Sequence, residues 1–455
     1  MVNLEKKINV VILAAGKGTR MVSTKPKVLH QLAGKPLLKH VIDCAKLLNP
    51  AKIIVIHGYG GEEVQENFKD EKIVWVEQKE QLGTGHAVLQ AKPYLDNGAK
   101  CLILLGDVPL INLKECNELI KQHCDLSILT VIRNDPSGYG RIIRDISGNV
   151  LEIVEQKDAS PEHIKIKEVN TGIMALEVDK LSYWIDKITN HNAQNEYYLT
   201  DLVKLAVNEG CKVGILITEE EYSVEGINSQ NDLAKLERIY QEMFANKLMQ
   251  SGVKIYDPSR IDVRGNLVAS SDVEIDVGCI FIGNVTLENN VKIGPYCVIK
   301  DATIGNATII EAYTHIDGVK IGNHCKVGPF ARLRPGTQLN ESCHIGNFVE
   351  VKNSQVDSST NINHLSYIGD STIGKNVNIG AGTITCNYDG AKKHRTIIED
   401  NVFVGSDSQL VAPVKIKAGA TIGAGSTITK DVEPDELAIS RSKQITITGW
   451  KRPKK

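Results

Sequence analysis

The string Leu13-Ala14-Ala15-Gly16-Lys17-Gly18-Thr19-Arg20-Met21, with Pro26-Lys27 close behind, sets two glycines directly after an aliphatic run. Glycines in that place let backbone N–H groups approach a phosphate, and a helix N-terminus beyond them favours negative charge. Arg20 and Lys27 are two cations able to neutralise a triphosphate. The string is not a Walker A motif, because no Gly-Lys-Ser/Thr occurs. It is not a full dinucleotide fingerprint either, because Met21 holds the third glycine position. A lone Gly-x-Gly is no more than a tight turn, so the rest of the string has to carry the phosphate reading.

A second group lies far downstream. His364, in Asn363-His364-Leu365-Ser366-Tyr367-Ile368-Gly369, stands two residues beyond Ile362 and projects outward if Ile362 points in. An outward imidazole titrates near pH ~6.5 and is a good base at neutral pH. Arg334 and Lys352 lie about 30 and 12 residues upstream, close enough to share neighbouring turns of a regular structure. Two cations beside a base make a receptor for a sugar phosphate. Each of the three, taken singly, reads as an ordinary surface side chain.

Two regions of different period must position these groups. Up to residue 228, buried-type strands at 8–15, 52–57 and 101–105 alternate with helical patterns. In 37–48, for example, apolar residues fall at 37, 38, 41, 42, 45 and 48. That alternation predicts an α/β domain with a mostly parallel sheet covered on both faces. Residues 229–250 read as one helix, with Ser229 and Asp232 as a capping box and Gly252 as the stop. Its apolar face carries Leu233, Leu236, Tyr240, Met243, Phe244 and Leu248. The domain boundary is placed on it: 1–228, a linker helix 229–252, then 253–455.

Beyond it, aliphatic residues recur every six positions, with steps of five at a few corners. They run from Ile275 through Ile299, Ile316, Val327, Ile345, Ile362 and Ile379, with Phe281 filling one slot, and again from Val404 to Ile428. Gly often follows directly, as in Ile293-Gly294 and Ile345-Gly346, and is expected to supply φ > 0 at a turn. This hexapeptide repeat predicts a parallel β-helix. Three sides make a coil of about 18 residues, coils stack at ~4.8 Å, and about eight coils build a prism roughly 35–40 Å long. The repeat lapses at 386–396, a long loop of the kind that often carries function.

Composition narrows the classes. The chain has 455 residues, 53 Lys+Arg against 55 Asp+Glu, and a net charge of −2. The near-zero charge argues against nucleic acid as main partner, since phosphate-backbone binding needs a concentrated basic surface. The only basic run is 451–455, a solvated tail. The longest apolar run, 10–15, is far short of the ~20 residues that span a bilayer, so no membrane partner is expected. The ten cysteines are scattered with no C-x-x-C, and no basic-then-apolar leader opens the sequence; a reducing cytoplasm is expected.

The opening string is joined by Gln78, the run Gln81-Leu82-Gly83-Thr84-Gly85-His86, and Gly106-Asp107-Val108-Pro109. Gly138-Tyr139-Gly140-Arg141, Glu155, Asn170-Thr171-Gly172 and Glu225-Gly226-Ile227-Asn228 follow in order. Together they resemble the signature of sugar-1-phosphate nucleotidylyltransferases. With the hexapeptide array behind them, the chain is similar over nearly its whole length to a narrower family. That family joins an N-acetylglucosamine-1-phosphate uridylyltransferase to a glucosamine-1-phosphate N-acetyltransferase.

The resemblance implies a Rossmann-like nucleotidyltransferase domain followed by a left-handed β-helix, working as a homotrimer with acetyl-transfer sites between subunits. It implies Leu13, Ala14, Ala15 and Gly16 at the nucleotide, with Lys27, Gln78, Gly83 and Thr84 around uridine and phosphates. Arg20 and Lys27 act in catalysis, Asp107 and Asn228 hold Mg²⁺, and Gly140, Glu155 and Asn170 contact the sugar. In the β-helix it implies Arg334, Lys352, Tyr367 and Asn378 at glucosamine 1-phosphate, and His364 as base. Ala381, Asn387, Tyr388, Ser406, Ala424 and Arg441 then meet acetyl-CoA. The product is UDP-N-acetylglucosamine, from UTP and acetyl-CoA as co-substrates. The family pattern often has an aromatic where Leu105 stands, which puts only local packing in doubt. Two other readings stay open: a monofunctional nucleotidylyltransferase with a regulatory β-helix, and a non-catalytic scaffold subunit. The first is not expected to carry His364 with Arg334 and Lys352, and the second should lack Asp107.

Overall fold

The computed structural model describes residues 7–453. It divides into two compact units, one up to Tyr240 and one from Gln241.

In the first unit Ile8–Ala14 is an inner strand, flanked in parallel by Lys52–His57 and Lys100–Leu105. The order across the sheet is Val213–Thr218, Leu126–Ile132, Glu168–Glu177, Lys100–Leu105, Ile8–Ala14, Lys52–His57 and Val74–Glu77. Only Glu168–Glu177 runs antiparallel to its neighbours on this path. Val10, Ile12 and Ala14 pack with Val41 and Ile42 of the helix Leu37–Lys46 and with Leu119 of Leu113–Lys121. Val11 faces the other layer, with Val88 of Thr84–Ala91, Trp184 of Val178–Ile185 and Leu202 of Asp201–Asn208. Both faces are covered, which is why these strands are apolar without alternation. The unit is a Rossmann-like α/β sheet.

The helix Gln230–Gln250 opens with the expected capping box: Ser229 N donates to Asp232 Oδ2 at 2.8 Å and Asp232 N to Ser229 Oγ at 3.2 Å. Its apolar face differs from the sequence reading. Met243 is 43% exposed, whereas Gln241, Ala245 and Leu248 are buried. Those three fall at i, i+4 and i+7, one helix face. Gln241 fits there because its amide is fully used: Nε2 donates to the Val263 carbonyl and Oε1 accepts from Val263 N, both at 2.8 Å.

The second unit is a parallel β-helix. One of its faces stacks eleven short strands, from Lys254–Ile255 to Leu437–Ala438, so the array runs beyond both ends of the 275–428 stretch read from the repeat. The recurring aliphatics and Phe281 all point inward and form one continuous core. At ~25 cal/mol per Å², each contributes about 1.5–3 kcal/mol by burial.

Gly328, after the inward Val327, is left-handed as expected, with φ of 103°, but most glycines after the inward aliphatics have a different cause. Around them the left-handed backbone falls at corner residues such as Asn290, Ala307, His324 and Ser342, with φ of 55–59°. Gly294, Gly322 and Gly405 are not left-handed. Their missing side chain makes room for the next coil: a Cβ would lie 2.9 Å from Ala312 N at Gly294 and 2.5 Å from Ala424 N at Gly405. Stacking at strand spacing leaves no space for it. Among the described residues, no helix is long and apolar enough to cross a membrane.

Candidate functional sites

Loops leaving the strand ends of the first unit converge on an open cleft of about 410 Å³, as expected for ligand sites of open α/β sheets. Leu13, Arg20, Thr84, Asp107, Gly140, Glu155, Asn170 and Asn228 line it. Leu13 is the last residue but one of the inner strand, and its carbonyl accepts from Gly106 N at 2.9 Å, which sets Asp107 at the mouth. Lys27 bridges the cleft's polar end. Its ammonium contacts Asp107 Oδ2 and, at 3.1 Å, Asn228 Oδ1. Ala14, Ala15 and Gly16 continue the strand end, and a side chain on Gly16 would meet nothing within 4 Å. Gln78, buried, donates to the Gly83 carbonyl at 3.1 Å and shapes the turn before Thr84.

Burial pushes the Glu155 carboxyl above its ordinary range, against the hydrogen bond it accepts from Thr200 Oγ1 at 3.0 Å. Sequence reasoning missed the segment 197–200 that makes this contact. Tyr197 is tied to the Leu82–Gly85 turn by two backbone bonds of 2.8 Å, and Thr84 Oγ1 accepts from Leu199 N at 3.1 Å. One short strap therefore joins the turn beside Gln78 to the carboxylate at the cleft's other end. The only signal for it was Thr200 before a helix, which reads as a cap.

In the β-helix His364 ends a strand on one face and is exposed. Its Nδ1 meets Asn347 Oδ1, one coil earlier, at 2.9 Å. With Nδ1–H donating to that amide oxygen, Nε2 keeps a lone pair toward solvent. A groove of about 240 Å³ beside it is lined by Lys326, His344, Asn347 and Asn363. Ala381, Ser406 and Ala424 hold the same register in the next coils: Asp407 N donates to the Ala381 carbonyl and Gly425 N to the Ser406 carbonyl, at 2.7 and 2.8 Å. Small side chains thus leave a flat track running from His364, and Arg441 lies against its far end, with Cδ 3.6 Å from where a Gly425 Cβ would be. Asn378 sits on this face too, paired with Asn361.

Arg334 and Lys352 stand at the far edge of the next face. Tyr367 opens that face one coil below Glu350, and Lys352 pairs with Gly369. Tyr367 lies along it. Its hydroxyl and Asn387 Nδ2 both crowd the space above Gly369, at 2.6 and 2.7 Å from an added Cβ. Arg334 donates to Glu350 Oε1 at 2.7 Å. Lys393 from the loop comes beside Lys352, which holds the Lys393 ammonium below its ordinary value. The base and the cations therefore flank one face: His364 closes a strand of the face before it, and the cations stand at its far edge. Tyr388 is exposed on the loop, its hydroxyl donating to the Gly390 carbonyl at 2.6 Å. Asp370, at the centre of the cation cluster, was not singled out in the sequence.

Comparison with known proteins agrees with this layout. The model for the MobA-like NTP transferase domain matches residues 10–143, that for the GMPPB C-terminal domain residues 263–342, and that for the bacterial transferase hexapeptide residues 395–430. The bifunctional protein GlmU of Methylobacillus flagellatus is 61% identical over 449 residues, covering 99% of this chain and 98% of the relative. Those of Nitrosospira multiformis and Azoarcus sp. are 54% and 52% identical, each over at least 98% of both chains. This chain belongs to the family of bifunctional GlmU proteins, with a nucleotidyltransferase and an acetyltransferase in one polypeptide.

Proposed function

We propose that this chain makes UDP-N-acetylglucosamine by two reactions in two places. The β-helix transfers acetyl from acetyl-CoA to glucosamine 1-phosphate. The cleft of the first unit transfers uridylyl from UTP to the resulting N-acetylglucosamine 1-phosphate, releasing pyrophosphate. The observation that carries this reading is the His364–Asn347 pair at the head of a small-residue track, on a wall whose next face ends in Arg334 and Lys352.

At the β-helix, Arg334 and Lys352 hold the sugar phosphate, with Tyr367 and Asn378 beside the ring. Asn347 fixes the imidazole so that His364 Nε2 takes the proton from the 2-amino group as it attacks the thioester carbonyl. The C–N bond forms, the C–S bond breaks, and CoA leaves as the thiol. A positioned base of this kind contributes about 10²–10⁴-fold. Ala381, Ser406 and Ala424 give CoA a surface without obstruction, with Arg441 for its phosphates and Asn387 and Tyr388 from the loop.

At the cleft, a phosphate oxygen of the sugar phosphate attacks the α-phosphorus of UTP in line, with pyrophosphate leaving. Arg20 and Lys27 offset the negative charge. Leu13 to Gly16, Gln78, Gly83 and Thr84 hold the nucleotide, and Gly140, Glu155 and Asn170 the sugar. Asp107 and Asn228 suit Mg²⁺, because one cation, the Lys27 ammonium, already rests on an oxygen of each. Two protein oxygens, with phosphates and water supplying the rest, is the usual pattern for this ion. Bound there, Mg²⁺ would supply charge neutralisation at the phosphates, with Lys27 as a second cation beside them.

The protein works as a homotrimer in the cytoplasm, where UTP and acetyl-CoA are found. Support for self-association is a ladder of about half-exposed rings, Tyr296, Tyr313, Phe330 and Phe348, stacked at 5.0–5.4 Å along one edge of the β-helix. One assay tests the whole reading. With glucosamine 1-phosphate, acetyl-CoA, UTP and Mg²⁺, free thiol and pyrophosphate should both appear, and omitting acetyl-CoA should abolish both. Pyrophosphate without acetyl-CoA would refute the order. Light scattering at a trimer mass checks the assembly.

A further inference from the structure

We propose that Asp370 is a positioning residue for acetyl transfer: one buried carboxylate that fixes Lys352 and Asn387 relative to each other. The inference rests on the proposed function, which gives Lys352 to the sugar phosphate and Asn387 to acetyl-CoA.

Asp370 is 8% exposed and Asn387 7%. Asp370 Oδ2 accepts from Asn387 Nδ2 and, at 3.4 Å, from the Lys352 ammonium. Oδ1 accepts from Asn353 Nδ2 at 2.6 Å. Burial opposes the charge, but the donors Asn353 and Asn387 and the Lys352 cation hold the carboxyl below its usual range. Three side chains, two from the preceding coil and one from the loop, thus share one ionised group. The backbone repeats the arrangement. Asp370 N donates to the Lys352 carbonyl at 3.0 Å, and Thr396 N to the Asp370 carbonyl at 3.3 Å. Asn387 and Thr396 are the two ends of the loop, so Asp370 closes its base. The residue is left-handed, with φ of 49°, a conformation that Asp and Asn accept more readily than most.

Such a group does not touch substrate. It holds the two substrate-binding side chains at one spacing, and spacing between bound reactants is worth orders of magnitude in rate. A carboxylate serves where an amide would not, because Lys352 needs an anionic partner and Asn387 needs an acceptor at the same oxygen.

The test is steady-state thiol release by the full-length protein carrying Asp370→Asn or Asp370→Gly, both compatible with the left-handed backbone. Lys352→Ala and Asn387→Ala serve as references. Loss of a hydrogen bond to a charged group predicts KM for glucosamine 1-phosphate and for acetyl-CoA raised about tenfold to a hundredfold in both Asp370 variants. Uridylyl transfer should stay at the parent value, and the thermal midpoint should match the parent's in acid. Asp370→Asn combined with Asn387→Ala should be no worse in KM for acetyl-CoA than Asn387→Ala alone, since both remove the same contact. Both KM values within twofold of the parent would overturn the inference, as would a fall in kcat alone with a lowered midpoint. Reference variants with unchanged KM values would remove the site assignment itself. Impaired references beside normal Asp370 variants would remove this inference only.

Discussion

The two units build their proposed sites by opposite means. In the first, site residues sit on loops beyond strand ends and meet across long chain separations: Lys27 and Asn228, 201 residues apart, share one hydrogen bond. In the β-helix the proposed site is the wall itself. Neighbours in space are one coil apart, as with His364 and Asn347, 17 residues distant. The first plan lets loops adjust around a nucleotide. The second fixes side chains to a rigid stack, so its one long loop, closed at Asp370, is where adjustment is left.

The sharpest break between the two is chemical. His364→Ala should remove thiol release by about 10²–10⁴-fold and leave uridylyl transfer from supplied N-acetylglucosamine 1-phosphate near normal. Asp107→Ala should do the reverse, ending pyrophosphate release and sparing thiol release. Loss of both signals in either folded variant would mean the units are not chemically separate.

Stability divides next. Ile362→Ala in the β-helix core should cost about 2–5 kcal/mol, visible in denaturant unfolding followed on the acetyltransferase signal. Below that come the glycines. Gly405→Ala should cost about 1–3 kcal/mol by overpacking against the next coil. Gly16→Ala, with nothing within 4 Å, should leave stability unchanged and weaken UTP binding instead, read as a raised KM. Equal stability losses at the two would deny that one glycine serves packing and the other a ligand.

The smallest effect is in pH, with opposite signs. Glu155 has a raised folded pKa, so the stability its protonated form lends below about pH 4.3 is lost as pH rises through the folded value. Glu155→Gln should therefore match the parent in acid and gain on it toward neutrality. Asp370 is held low, so its contribution is present above about pH 3.9 and lost as pH falls. Asp370→Asn should approach the parent only in acid. Thermal midpoints across pH 3–8 read both, and parallel curves would refute the contrast.

Ile362, Ile345 and Val327 were legible because an inward position repeats with the coil, and their burial follows from the repeat alone. Gly294, Gly346 and Gly405 were visible but misassigned. A sequence shows that a side chain is missing, not whether the backbone or a neighbour required it. Thr200 and Asp370 were not legible. Glu155 lies 45 residues from Thr200, with no sequence period to join them; Lys352 and Asp370 are 18 apart, one coil, but the repeat does not show which outward side chains the loop at 386–396 will cover. Met243 failed for a related reason: an apolar residue on a long helix does not reveal which face the next element will cover.

By itself the sequence determined the α/β alternation, the six-residue rhythm and the residue types available for phosphate, base and metal chemistry. Those are properties of period and composition, set by how helices, strands and coils bury apolar atoms. Only the tertiary structure decided that His364 closes a strand of one face while the Arg334–Lys352 cations stand at the far edge of the next. Only it put a single carboxylate between Lys352 and Asn387. Side chains meet through stacking of coils, and that register is fixed by packing across the whole prism rather than by any local run of residues.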